Sequence, residues 1–197
     1  MASKSSFTNM VVVLTAICLI SSALLAVVNN VTAGPIAQAE VAKVNAAISA
    51  VLPEFDNVPS EEKQEFSEGG KVSKVYTAKK GGEVVGYAIE VNGSGFGGPI
   101  QIMVGFTPDG TIFNTAVVAA SGETPGLGAK ILNDSIPTRK QLKGLNPATA
   151  KLTVTKDGGQ IDAITASTIT SRAYADGLAL AVKVFQAIGQ TPMPVNE

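Results

Sequence analysis

Three short stretches of this chain combine residue types able to hold or accept a ligand. The densest is Asp162-Ala163-Ile164-Thr165-Ala166-Ser167-Thr168-Ile169-Thr170-Ser171, with five hydroxyl side chains in the seven positions from Thr165. It falls where an extended run should end and a long helical pattern begins. A helix start offers unpaired backbone N–H groups and the positive end of the helix dipole, a natural seat for phosphate. Thr165 or Ser167 can serve as the N-cap, and a plain capping cluster is the simpler reading of the same residues. The second stretch is Ser121-Gly122-Glu123-Thr124-Pro125-Gly126-Leu127-Gly128-Ala129-Lys130. Pro125-Gly126 suits a tight turn. Glu123, Thr124 and Lys130 supply polar groups and Leu127 an apolar contact, a mixture that suits a flat heteroaromatic ligand as well as an ordinary polar loop. The third is Gly93-Ser94-Gly95-Phe96-Gly97-Gly98-Pro99-Ile100, where four glycines in six positions permit close backbone approach. It can lie against a ligand or partner, or simply join two strands.

Other chemistry is closed to the chain. It has no His and a single Cys, Cys18. That excludes Ser-His-Asp and Cys-His nucleophile systems, histidine metal sites, an internal disulfide and Cys-rich zinc or iron–sulfur sites. A net charge of -1 argues against binding a phosphate backbone, so no nucleic-acid partner is expected.

The elements that must position these segments follow from hydropathy and turn chemistry. Residues before Glu40 carry one charged side chain, Lys4. Met10–Val28 is uncharged and crosses about 28 Å as a helix, close to the thickness of a membrane core. It exceeds the usual apolar run of a secretory signal, which favours an uncleaved anchor. Val31-Thr32-Ala33 is the cleavage site the alternative would use. Lys4 before the apolar run favours an inside start and an exported domain. Cys18, within that run, reads as an inert small hydrophobe. Asn29–Pro35 reads as a linker. Ile36–Leu52 reads as an amphipathic helix with Ala37, Val41, Val44, Ile48 and Val51 on one face, stopped by Pro53. Residues 54–70 read as an acidic surface connection.

Strand-like runs then occupy Lys71–Ala78, Glu83–Val91, Ile100–Thr107 and Thr111–Ala120. Lys79-Lys80-Gly81-Gly82 and Pro108-Asp109-Gly110 join them in pairs. Ile136–Leu145 reads as a short polar helix. Lys151–Thr155 and Gln160–Ile164 read as a further pair of extended runs around Asp157-Gly158-Gly159. Thr168–Ile188 reads as a long helix burying Ala173, Leu178, Ala181, Val184, Phe185 and Ile188. The expected fold class is α+β: one transmembrane helix, then a domain with a twisted antiparallel sheet and packed helices. The expected divisions are a tail and anchor at 1–29, a linker and helix at 30–70, the sheet domain at 71–190 and a tail at 191–197.

The three segments, in this order, resemble the FMN-binding domain shared by the G subunit of the Rnf electron-transport complex and the C subunit of the sodium-pumping NADH:quinone reductase. The likeness extends over residues 84–187. Glu123-Thr124-Pro125-Gly126-Leu127-Gly128 matches a family signature. Residues 162–170 are similar to the family's flavinylation motif, Asp-x-x-(Ser/Thr)-Gly-Ala-(Thr/Ser)-x-(Thr/Ser). Asp162, Thr165, Thr168 and Thr170 fall on its fixed positions. Ala166 stands for the usual Gly and Ser167 for the usual Ala, exchanges between small residues that should be tolerated.

The resemblance implies a cofactor, FMN, joined to Thr168 by a phosphoester. It implies attachment by a separate Mg-dependent flavin transferase using FAD as donor, with Asp162 serving its recognition. A threonine hydroxyl needs a base or metal to become a nucleophile, and the chain has no histidine, so it should be acceptor and not catalyst. Thr165, Ala166, Ser167, Thr170, Glu123, Thr124, Gly126, Leu127, Gly128 and Lys130 are the further cofactor-site residues the resemblance implies. The isoalloxazine would lie toward the Glu123–Lys130 and Gly93–Ile100 segments. The length and single anchor fit the Rnf subunit better than the quinone-reductase subunit. The Rnf subunit relays electrons in a membrane complex between ferredoxin and NAD while sodium ions or protons move. Its domain lies on the periplasmic side of the inner membrane, with other membrane subunits as partners. The remaining readings are the quinone-reductase subunit, a stand-alone flavinylated reductase, and an anchored binding domain that has lost its flavin.

Overall fold

The computed structural model describes residues 7–68 and 70–190. The expected tails, including Lys4 and residues 191–197, lie outside the described residues. The chain divides into two compact units, Met1–Ala42 and Lys43–Glu197.

The first unit is helical. Helix α1 runs from Phe7 to Val51 and has Pro35 inside it. The expected break at Asn29–Pro35 is therefore not there. Proline removes one backbone donor and crowds the preceding turn, but it tolerates helical φ, so flanking turns can carry the helix through. Thr32 Oγ1 donates to the Val28 carbonyl at 2.8 Å just before it. The apolar residues of this unit are exposed, Leu25 at 70%, and the helix is long and apolar enough to cross a membrane.

The second unit is built on a five-stranded antiparallel meander in the order β1-β2-β3-β4-β5. The strands are β1 Gln64–Glu68, β2 Lys71–Lys80, β3 Glu83–Ser94, β4 Pro99–Phe106 and β5 Ile112–Ala119. Four are legible as runs of apolar and β-branched residues. β1 is not: QEFSE carries one large apolar side chain, Phe66, and pairs along its length with β2 as an edge strand. Gly81 and Gly82 both have positive φ, +61° and +87°, which the tight turn between β2 and β3 requires. One face of the sheet packs Val75, Ile89, Val91, Ile102 and Val104 against helix α3, Thr168–Gln190, through Tyr174, Leu178, Ala181 and Val184. On the other face Tyr76, Ala88 and Met103 meet Ala47, Ile48, Val51 and Leu52 at the end of α1. Of the face expected on residues 36–52, Ala37 and Val41 are exposed and only the last turn is buried.

The expected pair of runs at 151–155 and 160–164 is corrected. Val154 and Ile161 form a single isolated parallel bridge, and Thr155–Asp157 is a turn of 3-10 helix. Gly158, in left-handed conformation at φ +74°, ends that turn. The expected polar helix shortens to α2, Pro137–Lys140.

Candidate functional site: a hydroxyl-rich cleft beside the start of the last helix

Glu123 joins all three segments singled out from the sequence. Its carboxyl group is buried and accepts from the Phe96 backbone N–H at 2.7 Å through Oε1 and from Thr170 Oγ1 at 2.5 Å through Oε2. The glycines around it are required by this contact. A Cβ at Gly95 would strike Glu123 Oε1, and one at Gly128 would strike Oε2. Gly97 and Gly122 approach backbone to backbone, leaving no room for a side chain on either. The Gly93–Ile100 segment is therefore the β3–β4 hairpin end, with Gly93 and Ser94 still in β3, packed on the second segment. Thr124, Gly126 and Leu127 stand on the surface beside it, with Gly126 at φ +77° in the turn.

The third segment forms the entry to α3. Ser171 Oγ accepts from the Ile164 N–H and donates to the Ser167 carbonyl, both at 2.9 Å, so the loop is held to the first turn. Ser167 occupies the N-cap position, but its hydroxyl is buried with no hydrogen-bond partner. Thr168, the first helical residue, is half-buried, and Thr165 is exposed. Ala166 has φ +60°, the left-handed region that glycine enters freely. The expected family motif has glycine at this position.

Beside this loop lies a cleft of about 630 Å³, within the range of small-molecule sites. Asp162, Thr165, Ala166 and Lys130, all named from the sequence, line it together with Ala163 and Ile164. Sequence reasoning missed the rest of the lining: Ile136, Pro137 and Thr138 at α2, and Thr155 and Lys156 in the 3-10 turn. No local pattern marks these residues, because only the fold brings α2 and the turn to α3. Arg172 donates Nε and Nη2 to Asp157, each at 2.7 Å, and ties the Thr155–Lys156 wall to α3. None of residues 93–100 lines the cleft.

The donor set fits a phosphorylated heteroaromatic ligand. Lys130 and Lys156 outnumber Asp162, which favours a phosphate. Three threonine hydroxyls offer hydrogen bonds, and Ile136, Pro137 and Ile164 offer an apolar surface. Ser167, with its buried hydroxyl, and Thr168 are not among the lining residues.

Comparison with known proteins agrees with this chemistry. Residues 95–183 match the FMN-binding domain family. The G subunit of the Na(+)-translocating ferredoxin:NAD(+) oxidoreductase complex of Acetobacterium woodii is 34% identical, covering 90% of this chain and 91% of that protein. The chain belongs to the G-subunit family of ion-translocating oxidoreductase complexes. Another member, from Methanosarcina acetivorans, is 31% identical over 95% of this chain and 98% of its own. The G subunit of the proton-translocating ferredoxin:NAD(+) oxidoreductase complex of Clostridium ljungdahlii is 33% identical, covering 86% of each chain. Among solved structures, the C subunit of the Na(+)-translocating NADH-quinone reductase from Parabacteroides distasonis is similar over 62% of this chain and 65% of its own, at 23% identity and a TM-score of 0.48. In this G-subunit family member the FMN-binding match takes in the Phe96, Glu123 and Thr170 contacts and the whole cleft.

Proposed function

We propose that the chain is the flavin-carrying subunit of an Rnf-type ferredoxin:NAD oxidoreductase complex, anchored in the cytoplasmic membrane by α1 with its sheet domain on the extracytosolic side. FMN is held covalently through a phosphoester to Thr168. The observation that supports this reading is the cleft lined by Lys130, Lys156 and residues 162–166, a stretch that ends two residues before Thr168. Bound FMN supplies one- and two-electron transfer; the protein holds it and sets its surroundings.

The residues of this chain bind and orient. Lys130 and Lys156 would attract the phosphate, and the positive end of the α3 dipole would favour the same charge. Glu123 anchors Thr170, which fixes the first turn and with it Thr168. Attachment needs a Mg-dependent flavin transferase with FAD as donor. Thr168 would be the acceptor: its oxygen would bond to the FMN phosphorus of FAD as the pyrophosphate P–O bond breaks and AMP leaves, with the hydroxyl proton passing to the transferase. Asp162 is exposed on the loop and available for its recognition. Covalent attachment prevents loss of a cofactor that the extracytosolic space cannot replace. The other membrane subunits of the complex are the electron-transfer partners.

Intact mass of the chain produced with its transferase tests this. The expected result is a gain of one FMN that is absent from Thr168→Ala. An exported chain that gains no mass under these conditions overturns the reading.

A further inference from the structure

The chain carries a net charge of -1, yet its lysines are sorted by place. Between Gly128 and Lys156 stand five exposed lysines, Lys130, Lys140, Lys143, Lys151 and Lys156, against one acidic residue, Asp134. On β2 the lysines are neutralised. Lys74 pairs with Glu90 at 3.1 Å, Lys79 with Glu62 at 2.8 Å and Lys80 with Glu54 at 3.0 Å. Among the described residues, none of the five lysines of 128–156 forms an ion pair. Asp157, the carboxylate next to Lys156, is taken by Arg172.

The fold gathers these lysines around α2. Pro137 and Thr138, in α2, line the cleft together with Lys130 and Lys156. Gln141 and Leu142, just past its end, line a second hollow together with Lys151. A Cβ at Gly158 would lie 3.5 Å from Lys151 Nζ, so this ammonium stands beside the turn that carries Lys156. Lys140 ends α2, and the Lys143 N–H donates to its carbonyl at 3.3 Å, which keeps the two in one tight turn. The second hollow holds about 190 Å³ and has Leu142, Leu145, Leu152 and Ile161 as its apolar lining. Small-molecule sites begin near about 300 Å³, so it admits a side chain and not a cofactor. An apolar pocket within a polar rim is the anatomy of a protein interface. The sign of the rim selects the partner: unpaired lysines attract carboxylates and steer their approach.

We propose that this face, α2 with the Lys151 and Lys156 turns, docks an acidic segment of another subunit of the complex, which seats one apolar side chain in the hollow between Leu142 and Leu152. The apolar hollow favours a protein segment over a phospholipid headgroup, which has no side chain to place there. The proposal rests on the reading that the chain works within a multisubunit complex, and not on the linkage at Thr168.

The test is carbodiimide cross-linking of the whole detergent-solubilised complex at low ionic strength, followed by peptide mass spectrometry. This reagent condenses a lysine amine with a carboxylate in contact with it. Lys140, Lys143 or Lys151 should be joined to Asp or Glu of another subunit. The links should disappear in about 1 M salt, where the screening length is about 3 Å. Links from these lysines to this chain alone, or no links, overturn the proposal. So does protection of the same lysines from acetylation by phosphatidylglycerol nanodiscs without any intersubunit link, which would assign the face to lipid. Combining Lys140→Glu, Lys143→Glu and Lys151→Glu should lower ferredoxin:NAD turnover of the complex by about tenfold. Lys71→Glu, on β2, should leave it unchanged. Turnover of the combined variant equal to wild type overturns the proposal. The combined variant keeps Lys130, Lys156 and Thr168, so its gain of FMN mass should equal that of wild type. A complex that purifies without this chain overturns the subunit reading and this proposal together, whereas a complex that contains the chain but lacks the links overturns this proposal alone.

Discussion

Ala166 carries a Cβ at φ +60°, where the methyl group crowds the following carbonyl. For a residue other than glycine this conformation costs about 1–2 kcal/mol. The loop keeps the shape a glycine would adopt because Ile164 and Ser167 are pinned to Ser171 on either side. Ala166→Gly should therefore stabilise the chain by about 0.5–1 kcal/mol, after allowing for the greater freedom of glycine in the unfolded state. Thermal unfolding checks this; an unchanged or lower midpoint contradicts it. Glu123→Ala should act in the opposite direction. It removes the acceptor for the Phe96 N–H and the Thr170 hydroxyl in a buried setting, and should cost about 2–4 kcal/mol. Urea unfolding of the detergent-solubilised chain would show it, and a loss well under about 1 kcal/mol would mean that the three segments hold together without it.

At the scale of elements, the sheet depends on two kinds of contact. Glycines let backbones meet: a Cβ at Gly105 of β4 would strike the Val51 carbonyl at the end of α1. Gly105→Ala should destabilise by about 1–3 kcal/mol, read as a lower unfolding midpoint. Polar side chains also cross the strands. Glu90 in β3 is buried and accepts from Tyr76 Oη at 2.7 Å, Gln101 Nε2 at 2.7 Å and Lys74 Nζ at 3.1 Å. Burial alone would push its pKa up, but these three donors and the Lys74 charge together hold it below the usual glutamate range. A lowered folded-state value means that the carboxylate stabilises the fold above the unfolded value, about 4.3, and that this contribution is lost as pH falls through the folded value. Stability should accordingly decline below about pH 4.3. That acid-dependent share should be missing from Glu90→Gln, and a pH profile identical to wild type would contradict the assignment.

At the scale of the whole molecule, the apolar residues of the first unit are exposed along α1. Val11, Leu14, Leu19, Leu24 and Leu25 are all exposed, and none of the charged residues lies among them. In a bilayer those side chains face lipid, and a charge placed there is opposed by about 2.5–3.5 kcal/mol. Leu19→Arg should shift the chain from membrane to soluble or aggregated fractions in flotation experiments. Cys18 provides a second measure without mutation. It is exposed on the helix, so a membrane-impermeant maleimide should label it only after detergent dissolves the membrane. Labelling in intact membranes would place this part of α1 outside the bilayer.

Local rules make much of the molecule legible. Four strands, the turns at Gly81-Gly82 and Gly110, the long last helix and the apolar run of α1 follow from period, β-branching and glycine placement, which act between near neighbours in sequence. The helix start within 162–171 and the Glu123–Lys130 signature inside the FMN-binding match are visible for the same reason. Other features required the tertiary structure. β1 is a strand only because β2 offers it an edge. The runs at 151–155 and 160–164 lose their hairpin to a 3-10 turn tied to α3 through Asp157 and Arg172. Glu123 proves to be a buried brace, since its partners Phe96 and Thr170 lie far from it in sequence and the carboxylate satisfies both. The walls contributed by Thr138 and Lys156, and the buried Arg139 bonded to the Leu132 and Thr115 carbonyls, depend on segments far apart along the chain. Burial and electrostatic pairing depend on distance in space, and no spacing along the chain encodes them.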